Sequence, residues 1–147
     1  QRVVPQLQGV VGGMRSVRGY DESTAAADTT LVFSAEYRLH VPQLLPIDAD
    51  PYDTKLFGEP FRVAPQEVYG RADWDLIAKG FIDVGRTFVA DPMVGESDQT
   101  LVGAGAGLEL VLRRNLRLQA DWGVALEEAN DVGAGNHRFH FAATIIY

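Results

Sequence analysis

The chain has 147 residues, one domain at most, with 46% hydrophobic residues, 10% aromatics and fifteen glycines. That apolar content excludes a disordered chain, and the absence of cysteine excludes disulfides and Cys-ligated zinc. A formal charge of −7 argues against nucleic acid as a partner, since binding phosphates needs clustered Lys and Arg, and no run reaches the roughly 18 apolar residues of a transmembrane helix.

Residues Gln1 to Gln8 hold no charged segment followed by an apolar one, so no secretory signal is visible. Gln1 is therefore expected not to be the natural start. Residues 1–30 read as the end of a preceding strand and a loop. Within them, Gly12 and Gly13 lead to Val17-Arg18-Gly19-Tyr20, followed by acidic Asp21 and Glu22.

From Leu31 to Val41 the chain alternates. Leu31, Phe33, Ala35, Tyr37 and Leu39 share one face, and Ser34, Glu36, Arg38 and His40 the other. Period-two alternation predicts a strand with two unlike faces. Residues 42–73, rich in Pro and Asp, predict an insertion holding a small hairpin or helix. Alternation resumes over 77–88, with Lys79, Phe81, Asp83 and Gly85 on the polar side. It continues over 101–112, where Gly103, Gly105, Gly107 and Glu109 oppose Val, Ala and Leu. After a minimal turn at 113–115 it runs over 116–127, with Arg117, Gln119, Asp121 and Gly123 opposite Leu118, Ala120 and Trp122. It ends over 138–147, where Phe139, Phe141, Ala143, Ile145 and Tyr147 are in phase.

Five strands of this length exceed the soluble average of about 5–6 residues and suit a tilted membrane-spanning strand of about 9–11. The links alternate too: a tight turn at 113–115 faces longer loops at 90–100 and 128–136, the asymmetry of outer-membrane barrels. A soluble barrel also alternates, with its apolar face inward. Mixed charges on one face, a nearly pure apolar face opposite, and aromatics near strand ends (Phe88, Phe139, Tyr147) favour the membrane. Open edges in lipid would leave backbone groups unpaired, so five strands cannot stand alone. The fold expected is all-β: an antiparallel transmembrane β-barrel, of which this chain supplies a loop and the last five strands. The rest is expected from the same longer chain, or from another polypeptide.

Two sets of residues carry a family resemblance. Val17-Arg18-Gly19-Tyr20 after a Gly-Gly pair, together with Phe81-Ile82-Asp83-Val84-Gly85-Arg86, resembles the signature of the superfamily of barrel-assembly and two-partner-secretion transporters. It looks most like the haemolysin activation and secretion branch. The terminal Phe141, Ile145 and Tyr147 resemble the β-signal that barrel assembly machinery reads by strand pairing. The chain departs from the family at 42–73, normally a shorter turn; at Ala27-Asp28, where Gly-Asp is usual; and at Ala142, usually Gly. The resemblance implies a barrel of about sixteen strands in the bacterial outer membrane, with 42–73 on its periplasmic side. It implies that the Val17–Tyr20 loop folds into the lumen and that Arg18 pairs with Asp83; Gly85, on the same face as Phe81 and Asp83, lacks a side chain and would leave room for the loop. Glu36 is a second candidate partner for Arg18. The implied partners are outer-membrane lipid, a secreted client polypeptide, and the assembly machinery during biogenesis.

No enzyme is expected. Gly103 to Gly107 lacks phosphate-loop spacing, and Asp48, Asp50 and Asp53 lack the glycine and closing Glu of a calcium loop. The three histidines form no metal-binding helix pattern, so neither metal nor cofactor is expected. The function expected is a translocation pore exporting a partner polypeptide. The alternatives are an insertase of the same superfamily, or a soluble β-domain binding a partner or small ligand.

Overall fold

A computed structural model of the chain describes residues 4, 7–48, 50, 53–90, 92–94, 96–113 and 115–147. Residues 1–3, 5 and 6 of the expected leading segment, residues 49, 51 and 52 of the insertion, residues 91 and 95 of a loop, and Arg114 lie outside the described residues.

The chain is mostly antiparallel β. Its strands are β1 (Gly9–Val11), β2 (Ala25–Ala27), β3 (Thr29–His40), β4 (Lys55–Leu56), β5 (Glu59–Pro60), β6 (Trp74–Phe88), β7 (Thr100–Leu112), β8 (Leu116–Ala125) and β9 (His137–Ile145). A 3-10 turn spans Val41–Leu44. The five long strands form one sheet in the order β3-β6-β7-β8-β9, while β1 pairs β2 and β4 pairs β5. Every segment expected to be a long strand is one, with shifted ends. β6 starts at Trp74 rather than Ile77. There the Trp74 indole N–H donates to the Val63 carbonyl, and the Arg113 N–H to the Asp73 carbonyl, both at 2.8 Å, which holds the backbone in place. β8 stops at Ala125 because Leu126 and Glu127 turn their N–H groups to the Val102 carbonyl and the Tyr20 hydroxyl. β9 stops at Ile145, so Tyr147 lies past the strand.

Burial runs opposite to that of a water-soluble sheet. Asp83 is 0% exposed and Asp121 1%, whereas Phe33 is 63%, Tyr37 74%, Phe141 74% and Ile145 72% exposed. Covered charge costs free energy unless it is paired. Apolar surface left in water costs about 25 cal/mol per Å². The polar parity is therefore the one that other parts of the chain cover.

Two compact units share these strands: residues 1–37, 80–106 and 121–140 form one, and residues 38–79, 107–120 and 141–147 the other. In the first, Val11, Val17, Tyr20, Ala25, Leu101 and Ala125 are buried in one apolar cluster. The β1–β2 pair, with Gly9 opposite Ala27 and Val11 opposite Ala25, closes the base of a loop over residues 12–24.

The second unit contains the insertion. Of the two elements the sequence allowed there, a hairpin or a helix, it holds a hairpin, β4–β5, with Leu56 opposite Glu59 around Phe57 and Gly58, both at positive φ. Arg113, in the turn between β7 and β8, reaches the Pro60 carbonyl at 3.1 Å and those of Leu56 and Glu59 at 3.5 Å. Its guanidinium lies 5.9 Å from the Phe61 ring centre. Arg62 donates to one Asp73 oxygen from Nη2 at 2.8 Å and from Nε at 3.1 Å, while its backbone N–H takes the other at 2.8 Å. Those bonds hold the Asp73 carboxyl below its ordinary value of 3.8. The insertion is thus fastened at its hairpin and at its return to β6.

Arg113→Ala should speed amide hydrogen exchange across residues 54–62 while β7 and β8 keep their protection. A group with a depressed pKa contributes stability above its unfolded pKa and loses it as pH falls through the folded one. The Arg62–Asp73 fastening should therefore persist at pH 5 and fail only below pH 3.8, read as a rise in exchange at the Arg62 amide.

Candidate functional site

The loop over residues 12–24 ends on the polar side of the sheet because its backbone can turn sharply there. Gly12 (φ 115°) and Gly19 (φ 101°) occupy the left-handed region that favours glycine. The Gly12 N–H donates to Ser16 Oγ at 2.9 Å, and the Gly13 N–H to the Val17 carbonyl at 3.1 Å, so the tip is internally tied. At Gly19 a side chain would also collide with the backbone of Val124 and Ala125, at 2.7 and 2.8 Å.

Arg18, 6% exposed, is held by three carboxylates from three strands. Its Nε donates to Asp83 Oδ2 at 2.8 Å and its Nη2 to Asp83 Oδ1 at 3.0 Å, a fork-to-fork contact that fixes the guanidinium plane. Its backbone N–H donates to Asp83 Oδ2 at 3.1 Å. Nη1 donates to Glu36 Oε2 at 2.8 Å and to Asp121 Oδ2 at 3.2 Å. Asp83 lies on β6, Glu36 on β3 and Asp121 on β8. The Phe81 ring closes one side, its centre 3.4 Å from Arg18 Cζ. Ser34 Oγ donates to Asp83 Oδ1. Burial disfavours the Arg18 charge, but the hydrogen bonds to Asp83 and Glu36 outweigh it and raise the pKa above the usual arginine range.

Glycines make this approach possible. β7 lies between β6 and β8, directly beneath Arg18, and the Arg18 carbonyl stands where a Gly103 Cβ would be. A Cβ on Gly85 would sit 2.5 Å from Val11 Cγ1 and 2.7 Å from Val17 Cγ2, and one on Gly123 2.6 Å from the Gly19 nitrogen. Tyr20 is fully buried, and its hydroxyl fastens the far end of the loop. It lies 2.7 Å from the Glu127 carbonyl and 3.1 Å from that of Val102, and accepts the N–H groups of Val102 and Glu127 at 3.1 and 3.3 Å. Arg138 of β9 donates to Asp21, just beyond the loop tip.

Val17, Arg18, Gly19, Tyr20, Phe81, Asp83, Gly85 and Glu36 are thus brought into one site. Phe141, Ile145 and Tyr147 stand apart from it with exposed side chains. Sequence reading missed Asp121 and Gly123 as members. The signal was there: Asp121-Trp122-Gly123 repeats the acid-x-Gly spacing of Asp83-Val84-Gly85. The carbonyl partners of Tyr20 had no such signal. Among the described residues, no group of three or more His, Asp or Glu could hold a metal ion. One cation held by two buried carboxylates and by Glu36, which is partly open to solvent, makes this an anchoring site; it holds a loop in one place.

Arg18→Ala leaves three carboxylates without their cation and should weaken loop anchoring by about 3–5 kcal/mol. Limited proteolysis of the loop should show the loss, and Arg18→Lys, which keeps charge but loses the fork, should fall between. Tyr20→Phe strands the Val102 and Glu127 amides and should cost about 1–3 kcal/mol, seen as faster exchange at those two amides with Arg18 still in place. No family model, curated protein or solved structure matches this chain.

Proposed function

We propose that the chain is part of an outer-membrane β-barrel that conducts a secreted polypeptide, of the two-partner-secretion type. The observation that carries this reading is Arg18, fixed by Asp83, Glu36 and Asp121 from three strands of one sheet. A loop secured in this way against the polar face of a sheet fits a loop folded into a pore and made part of its wall. The match of Val17–Tyr20 with Phe81–Arg86 to the family signature supports the same reading.

Two further features support the membrane. The long strands carry exposed Leu31, Phe33, Tyr37, Phe141 and Ile145 opposite covered charges. That inversion suits lipid on one side and a wet lumen on the other. β3 and β9, of twelve and nine residues, are the edges of the five-stranded sheet. In lipid their unpaired backbone groups would cost several kcal/mol each, so further strands must continue the sheet on both sides. An insertase of the same superfamily would use the same loop and sheet, and only the client separates the two readings.

The test uses the complete protein in its own cell. Deletion should abolish export of one polypeptide and spare the other outer-membrane proteins. Arg18→Ala should reduce that export at least tenfold while the barrel stays in the membrane fraction. Broad loss of outer-membrane proteins would make the protein an insertase. A monodisperse, detergent-free monomer would overturn both.

A further inference from the structure

The insertion closes two tight turns, and each places an aromatic residue where glycine or asparagine is the ordinary choice. In the β4–β5 hairpin the loop is Phe57-Gly58, at φ 54° and 85°. Two successive left-handed residues make a type I′ turn, whose first position favours Asn, Asp or Gly. In the second turn the Gly70 N–H donates to the Glu67 carbonyl at 2.8 Å, which makes Tyr69 the third residue of the turn. Tyr69 has φ 65°, and that position takes Gly or Asn when φ is positive. A bulky side chain in this region is strained because its Cβ crowds the following carbonyl oxygen.

Neither turn offsets this strain by burial. Phe57 is 97% exposed and Tyr69 91%, and Val68 beside it is 69% exposed. Among the described residues, no ring or cation stacks on either aromatic. Both turns are nevertheless closed at their base. The Phe61 N–H donates to the Thr54 carbonyl at 2.8 Å below the first, and the Asp73 N–H to the Arg62 carbonyl at 2.9 Å below the second. The two rings are therefore held out into solvent on closed turns. Strain kept at a position that also exposes apolar surface points to a contact that the fold itself does not supply.

The charge around the turns selects the kind of partner. Among the described residues of the insertion, the exposed carboxylates are Asp48, Asp50, Asp53, Glu59 and Glu67, and the exposed cations are Lys55 and Arg71. Arg113, which reaches the hairpin carbonyls from its own turn, brings the cations to three against five. We propose that Phe57 and Tyr69 are apolar anchors for a partner polypeptide that carries Lys or Arg between apolar side chains. Large, rigid aromatic side chains are the residues that dominate the energy of protein interfaces. The excess of carboxylate attracts a cationic segment and repels anionic lipid headgroups. The inference concerns the second unit alone and does not depend on the pore reading.

The test uses the complete protein in lipid nanodiscs and short, fluorescently labelled peptides. A repeat of Leu-Lys-Val-Ser should bind about tenfold more tightly than the same repeat with Glu for Lys, or with Ser for Leu and Val. Phe57→Asn and Tyr69→Asn should each weaken that binding about fivefold, and the double variant more than either. The same substitutions relieve the backbone, so amide exchange should slow about threefold, at Phe61 for the first and at Gly70 for the second. Faster exchange in the Asn variants would make the aromatics part of the fold and overturn the proposal. So would binding unchanged in the double variant, or equal for the Lys and Glu repeats. Phe57→Trp and Tyr69→Trp report what covers the turns before any peptide is added. Each added indole should be quenched by acrylamide in the water and not by brominated lipid. Quenching by brominated lipid would assign the turns to the membrane, and protection from both quenchers would assign them to another part of the complete chain. Either result overturns the polypeptide partner.

Discussion

A guanidinium buried among three carboxylates is the constraint from which the rest of the first unit follows. Arg18 is almost fully covered, and an uncompensated buried charge would be untenable. Asp83 meets it with both oxygens, Glu36 and Asp121 meet it from two other strands, and the Phe81 ring lies flat against it. Such a constellation is a poor source of net stability, because desolvation offsets most of its Coulombic gain. Its value is positional. Three acids on three strands admit one placement of Arg18, and hence one placement of the loop.

That placement sets requirements on residues with no charge at all. The Arg18 carbonyl needs Gly103 beneath it, Val11 and Val17 need Gly85, and Gly19 needs Gly123. Each of these glycines weakens its strand slightly through lost packing and greater backbone freedom. The cost is accepted along the one track where the loop lies. Tyr20 then ties the loop to the backbone of β7 and of the segment after β8, so the loop is fixed at two points by two different chemistries. Two fixings prevent the loop from pivoting about Arg18 alone.

The second unit follows another logic. Among its described residues the insertion holds a two-by-two-residue hairpin and a 3-10 turn, too little secondary structure to be stable by itself. Arg113 supplies the missing cohesion by taking three backbone carbonyls, and Asp73 supplies it again through Arg62. Arginine does both jobs because its donors diverge in a plane and can serve several acceptors at once.

The five long strands and their two unlike faces were determined by the sequence alone, because alternation with period two is a local property of consecutive residues; which face the rest of the chain covers was decided by the tertiary structure. The parity that put Phe81, Asp83 and Gly85 on one side needed no tertiary information either. Arg18 with Asp83 came from a resemblance, and Glu36 from its parity. Only the tertiary structure decided that Asp121 completes the cluster, that Gly123 and Gly103 clear the path, and that Tyr20 finds Val102 and Glu127. Those partners lie about a hundred residues away in the chain, or are backbone groups that every residue carries and no pattern marks. The insertion was legible only as Pro- and Asp-rich chain. Its shape depends on Arg113, in a turn fifty residues further on, and a contact of that range leaves no periodic trace in the sequence.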